Sequence, residues 1–230
     1  MVGAIWKGRW IGAHQLLCLV LAVLAIGFEH LGPRQAYVLM KPLTTLCIML
    51  PLFFLSAGGD GTLSRFRKGM LLGLCCCLLG DVLLLYEAYF VHGLASFLVG
   101  HLLFALSFIR LRGFHAHWIS FLLFFGVGAA LFLWLNPDLG AFRLPVALYV
   151  LVICFMAWQG MGLFLREPTK AFGWIALGVL LFMFSDTLIA ISKFKAPFQF
   201  SGPLILGTYW LSLGLLSNAT RRVVSGGGED

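Results

Sequence analysis

The sequence predicts an all-α fold, a polytopic membrane bundle of about eight transmembrane helices with both termini in the cytoplasm. Three observations carry that expectation. Of the 230 residues, 61% are hydrophobic and 11% are charged, where a soluble domain has roughly 25% charged residues. The apolar residues fall in long runs, and about 20 such residues make a helix that crosses the hydrocarbon core. Within those runs polar and apolar positions do not alternate, which excludes barrel strands. No polar stretch approaches domain size, so residues 1–224 read as one transmembrane domain.

The first run, 13–28, follows Lys7 and Arg9 and lacks a small-residue cleavage site, so it reads as a span and not as a removed leader. The second, 36–56, contains Lys41-Pro42-Leu43 near its start. The third, 69–86, holds Gly69 and Gly73 in a GxxxG, the triplet Cys75-Cys76-Cys77, and Gly80-Asp81. The GxxxG reads as close packing inside the bundle or as a dimer face. The fourth, 92–110, carries Gly100-His101, and the fifth is 116–134. The sixth, 142–165, opens on Arg143-Leu144-Pro145; the seventh, 171–192, holds Ser185-Asp186; the eighth, 200–219, holds Gly207-Thr208-Tyr209. The Gly-rich segment 225–230 reads as a flexible tail.

The net charge of +7 does not point to nucleic acid, because the basic residues border the apolar runs. Eleven of the sixteen Lys and Arg residues fall on one side of the expected topology, namely Lys7, Arg9, Arg65, Arg67, Lys68, Arg110, Arg112, Arg166, Lys170, Arg221 and Arg222. Arg34, Lys41, Arg143, Lys193 and Lys195 fall on the other. The positive-inside rule makes the first side cytoplasmic, in the inner membrane if the source is bacterial. A weak internal repeat runs alongside. Spans three and seven share an Asp in a Leu-rich context, two and six open on a basic residue and a proline, and four and eight place a Gly at similar depth. A four-plus-four parallel duplication explains the pattern.

Asp81 and Asp186 are the candidate catalytic groups. A carboxylate at membrane depth costs roughly 2.5–3.5 kcal/mol even on the mild insertion scale, and such groups face a bundle interior or a wet cavity. Counted from the cytoplasmic side, Asp81 lies roughly 18 Å and Asp186 roughly 22 Å in, at 1.5 Å per residue. Both therefore belong to the outer half of the bilayer. Two carboxylates sharing one low-dielectric site do not both ionise, and the pair then offers an acid and a base. The competing reading is a pair of interhelical hydrogen-bonding groups. Three further residues are candidate substrate-binding groups. His101 is a proton shuttle or a packed histidine. Tyr209 is a substrate contact or a core tyrosine with a satisfied hydroxyl. Lys41 is a snorkelling lysine or an anchor for a phosphate at headgroup level. Lys193 and Lys195 read as an exposed basic loop or as groups that attract an anionic headgroup, Glu87 and His92 as solvated groups, and Glu29 and His30 as residues at the mouth of a cavity.

Several signatures are missing. The spans hold no HxxxH or HExxH, so no metal site is expected. There is no Gly-x-Ser-x-Gly elbow, no P-loop and no dinucleotide fingerprint. The six cysteines all lie in apolar runs without zinc-finger spacing and are expected as free thiols.

The segments Lys41-Pro42-Leu43-Thr44-Thr45, Gly80-Asp81-Val82-Leu83-Leu84 with Phe97 to His101, Ser185-Asp186-Thr187-Leu188-Ile189, and Pro197-Phe198 through Thr208-Tyr209-Trp210 together resemble the lysoplasmalogenase family of YhhN-like membrane proteins. The resemblance runs from about residue 36 to 218; residues 113–165 carry little of it. It implies a membrane hydrolase without an organic cofactor. The substrate would be a lysophospholipid among the membrane lipids, its vinyl ether cut to a fatty aldehyde and glycerophosphoethanolamine or glycerophosphocholine. It also implies that Asp81 and Asp186 are candidate catalytic residues, one acid and one base, without saying which is which. Protonating the alkene carbon gives an oxocarbenium ion, water adds, and the hemiacetal collapses; paired carboxylates stabilise comparable states in glycosidases. The residues alone leave two other readings open, a small proton-coupled transporter and a lipid-binding protein. They leave the oligomeric state open as well.

Overall fold

A computed structural model describes residues 2–226, with side chains from residue 12 onward. It holds eight α-helices: α1 Val2–Leu31, α2 Arg34–Phe53, α3 Gly61–Leu83, α4 Phe90–Arg112, α5 Trp118–Leu135, α6 Arg143–Arg166, α7 Lys170–Phe194 and α8 Ser201–Val224. Single 3-10 turns at Glu87–Tyr89, Asn136–Asp138 and Gly140–Phe142 fill two of the connections, and the described residues contain no strand. Each predicted span falls on one helix. The expected tail, 225–230, is represented only by Ser225 and Gly226, and the rest lies outside the described residues.

Six of the helices are long and apolar enough to cross a bilayer: α1 over residues 12–31, α2, α4, α5, α6 and α7. The chain is a multi-pass integral membrane protein. The other two helices are the polar ones. α3 carries Arg65, Arg67, Lys68 and Asp81, and α8 carries Asn218, Arg221 and Arg222. They are tolerated because their polar groups turn inward or sit at the helix ends. Asp81 is 1% exposed, and Thr220, Ser217 and Ser212 are buried on α8.

Local chemistry explains the helix limits. The Asp60 carboxylate accepts the N–H groups of Thr62 and Leu63 at 2.7 and 3.1 Å. Such a cap is worth about 1 kcal/mol, and it starts α3 ahead of the apolar run, through Arg65, Arg67 and Lys68. Hydropathy marks where lipid begins; the cap marks where the helix begins. In α2, Pro51 has no N–H, which leaves the Cys47 carbonyl without its i+4 donor. His14 Nε2 on α1 takes that carbonyl at 2.8 Å. The neighbouring Ile48 carbonyl receives Ser217 Oγ from α8 at 2.9 Å.

α3 and α4 pack through glycines. A Cβ at Gly73 would lie 2.4 Å from the Phe104 ring, and one at Gly80 would lie 2.5 Å from the Phe97 ring. Gly69 meets Ser107 in the same way. The Gly69–Gly73 pair therefore serves packing within the bundle. Cys77, in the middle of this stripe, is fully buried, and all six cysteines are unbridged.

The loops pair at each end of the bundle. At one end Arg34 donates to the Leu85 carbonyl at 2.9 Å, Lys193 meets Glu87 at 2.8 Å, and Lys195 meets Asp138. The hydrogen bond and charge of Lys193 hold the Glu87 carboxyl below its ordinary range. At the other end Arg112 meets Glu167 at 3.0 Å and its carbonyl receives Arg166 at 3.1 Å. Lys193 and Lys195 are thus ion-paired and not simply solvated. Glu29 presses its carboxylate against Gly202 at the start of α8, and His30 lies 6.1 Å from the Phe200 ring.

Candidate active site

The five residues singled out in the sequence gather into two polar nests, each centred on one aspartate. Asp81, at the end of α3, accepts Thr45 Oγ1 from α2 at 2.6 Å and the Tyr209 hydroxyl from α8 at 2.8 Å on the same oxygen, Oδ2. Its other oxygen, Oδ1, lies 3.8 Å from the Lys41 ammonium. Lys41 is itself 8% exposed, and its ammonium faces Asp81. The spacing of Lys41 and Thr45, four residues apart on α2, puts both on the one helix face that meets Asp81. Trp210 Nε1 donates to Thr45 Oγ1 at 3.1 Å and closes the nest. Asp81 thus accepts two hydroxyl hydrogen bonds and faces one ammonium, the compensation a buried carboxylate requires.

Asp186 on α7 is held differently. The Tyr149 hydroxyl from α6 donates to Oδ2. His101 from α4 sits with Nε2 3.7 Å from the same oxygen, beyond hydrogen-bond range. His101 is fully buried, and neither ring nitrogen has a hydrogen-bond partner among the described residues. Its ring packs edge-on against Phe182 at 4.5 Å and Tyr149 at 5.4 Å. No Lys or Arg forms an ion pair with Asp186 among the described residues.

No hydrogen bond joins the two carboxylates among the described residues, and one path of contacts from one to the other passes through rings. It runs from Asp81 to Tyr209, from Tyr209 to Phe182 at 5.5 Å, from Phe182 to His101, and then to Asp186. Phe97 braces the same wall, 5.8 Å from Tyr209 and 6.2 Å from Phe182. A small apolar cavity of about 60 Å³ is lined by Asp186, Tyr149, Phe97, Leu94, Met183 and Ile153, and Asp81 does not line it. A wider groove of about 690 Å³ lies between α1, α2 and α8. It touches neither aspartate, and its closest link to the polar core is Trp210, the donor to Thr45.

Thr45 and Tyr149 were not singled out in the sequence. Thr45 had a usable signal, its i+4 spacing from Lys41. Tyr149 had a weaker one, a lone tyrosine inside a span otherwise poor in polar groups.

The profile of the YhhN family matches residues 36–219, which takes in α2 through most of α8 and both nests. The chain belongs to the YhhN family. Three relatives illustrate its range. Lysoplasmalogenase TMEM86A of Bos taurus is 34% identical over 196 residues, covering 81% of this chain and 78% of its own. Lysoplasmalogenase TMEM86B of Homo sapiens is 32% identical over 219 residues, covering 93% and 87%. A YhhN protein of Escherichia coli O157:H7, named only as an uncharacterized membrane protein, is 25% identical over 195 residues, covering 82% and 89%. No solved structure matches this YhhN-family chain.

Proposed function

We propose that this YhhN-family protein is a lysoplasmalogenase, a membrane hydrolase that opens the vinyl ether bond of lysoplasmalogens. The names of the TMEM86A and TMEM86B relatives support the reaction. The observation that carries the chemistry is Asp186, a carboxylate on the wall of an apolar cavity with a phenol on it and no cation against it. Burial without a counter-ion favours a neutral carboxylic acid, the form that delivers a proton to an alkene carbon. The resulting Asp186 carboxylate then faces the oxocarbenium ion. His101, 3.7 Å away, takes a proton from the attacking water. The outer alkene carbon gains the proton and the ether-bearing carbon the hydroxyl; as the hemiacetal collapses, its hydroxyl proton returns to Asp186 and the proton on His101 goes to the leaving oxygen, which releases fatty aldehyde and a glycerophospho-alcohol and restores both groups.

Asp81, opposite Lys41, stays the charged member, and the two aspartates work from separate nests and not as one dyad. Lys41 is the proposed phosphate anchor, sharing its ammonium with Asp81. The same reading keeps eight spans, cytoplasmic termini and a four-plus-four repeat. The partner pattern supports the repeat. Asp81 on α3 draws a partner from α2 and one from α8, and Asp186 on α7 draws one from α6 and one from α4. The exchange is the one a two-fold arrangement of α1–α4 and α5–α8 requires.

The test is aldehyde release from lysoplasmenylethanolamine by purified protein. Asp186→Asn is expected to lose activity by about 10²–10⁴-fold, the usual share of general acid–base catalysis. Asp81→Asn alone strands the Lys41 charge, which costs about 3–5 kcal/mol. The double variant Asp81→Asn/Lys41→Met should fold and still turn over poorly. Wild-type rates in Asp186→Asn would remove the acid assigned here.

A further inference from the structure

The groove between α1, α2 and α8 contains a cluster the hydrolase chemistry does not use. His14 and Cys18, four residues apart on α1, face Cys47 on α2. Cys18 Sγ lies 3.3 Å from Cys47 Sγ, and His14 Nε2 lies 3.7 Å from the first and 3.8 Å from the second. Three soft donors therefore stand at the corners of a small triangle. Ligands at Zn–S about 2.3 Å and Zn–N about 2.0 Å are separated by roughly 3.5–3.8 Å in tetrahedral geometry. The two S···N edges already match, and the S···S edge needs to open by about half an ångström.

We propose that His14, Cys18 and Cys47 form a three-ligand zinc site. Charge favours Zn²⁺ over a monovalent soft ion. Two thiolates and a neutral imidazole with Zn²⁺ sum to zero, which suits surroundings built from Ala22, Ile48 and Leu19. Binding balances as Zn²⁺ plus two thiols and one imidazole giving the complex plus two protons. It exchanges the His14 hydrogen bond to the Cys47 carbonyl for a metal bond. A three-ligand zinc keeps a fourth position open. Here that position opens on the groove, since His14 and Cys18 are groove-lining residues and Cys47 is buried behind them. Arg221 and Asn218 stand on the same groove wall, so an anionic oxygen is the fourth ligand this setting admits.

The site also has a mechanical meaning. Among the described side chains of α1 only Ala25 is buried. A metal joining His14 and Cys18 to Cys47 clamps this peripheral helix to α2. No spacing rule shows the site in the sequence, because the second cysteine lies on a different helix, 29 residues from the first.

The experiment is titration of the full-length, detergent-solubilised protein, kept reduced, with Co²⁺ and then Zn²⁺. A stoichiometric thiolate-to-Co²⁺ charge-transfer band that Zn²⁺ abolishes is the expected result. Affinity should rise about a hundredfold per pH unit while both thiols are protonated, as release of two protons requires. Cys75→Ala and Cys76→Ala should keep the band. Cys18→Ser, Cys47→Ser and His14→Gln should lose it or weaken it at least tenfold, with helical circular dichroism confirming that each is folded. His14→Gln keeps the test decisive if a cysteine variant fails to fold. No band in the reduced wild type overturns the proposal, as does a band that survives Cys18→Ser with Cys47→Ser. Air oxidation that yields only a Cys18–Cys47 disulfide, with no metal uptake after reduction, overturns it too.

Discussion

Thr44 and Thr45 are neighbours with opposite duties. Thr44 Oγ1 donates back to the Met40 carbonyl of its own helix at 2.8 Å, and Thr45 Oγ1 donates to Asp81. Replacing Thr45 by Val leaves Asp81 one donor short and Trp210 Nε1 without its acceptor, both inside the bundle. The expected loss is about 1–3 kcal/mol, the cost of an unsatisfied buried polar group. Thr44→Val should be nearly silent. Thermal unfolding of both in one detergent decides it, and Thr45→Ser should recover most of the loss. The difference between adjacent threonines is azimuthal. A sequence reports depth along a helix axis well and rotation about it poorly, so Lys41, Asp81, His101, Asp186 and Tyr209 were legible and their hydrogen-bond partners Thr45 and Tyr149 were not.

At the scale of the helix, the contact of α3 with α4 is set by absent side chains. Gly80 precedes Asp81 and meets the Phe97 ring, which also braces Tyr209 and Phe182. Gly80→Ala should therefore overpack the wall between the two nests, at about 1–3 kcal/mol. The same strain should reach both aspartates and lower aldehyde release. Phe97→Leu placed on top should recover stability, and a double-mutant cycle in unfolding free energy measures the coupling. The positions of the eight helices followed from apolar runs, six of them long and apolar enough to cross a bilayer. Their ends did not, since Asp60 and its like act through backbone N–H groups that hydropathy does not weigh.

The pH response belongs to the whole molecule, because it is read in the folding equilibrium. His115, in the turn between α4 and α5, is 6% exposed, and its backbone is clasped both ways by the Gln159 amide. Burial, and then the charge of Arg166, push its imidazole below the ordinary 6.5. The folded state therefore holds this histidine neutral while the unfolded chain protonates it. Its contribution is fully present above about pH 6.5, declines below that value as the unfolded chain takes up the proton, and is lost as the pH falls through the lower folded-state value. Unfolding midpoints measured from pH 8 to 5 should fall more steeply for the wild type than for His115→Leu. The sequence also could not show that the aspartates occupy separate nests. Matched depth on codirectional helices says nothing of the aromatic rings between them, which reach that wall from α4, α7 and α8.

The two helices that hold Asp81 and Tyr209 are the two that lack the apolar character to cross a bilayer by themselves. Each follows or precedes, in sequence, the apolar helix it packs against: α3 is joined to α4, and α8 to α7. Fused to a reporter, α3 alone should therefore insert less well than the α3–α4 pair, and α8 alone less well than α7–α8, which a membrane-insertion assay reads out.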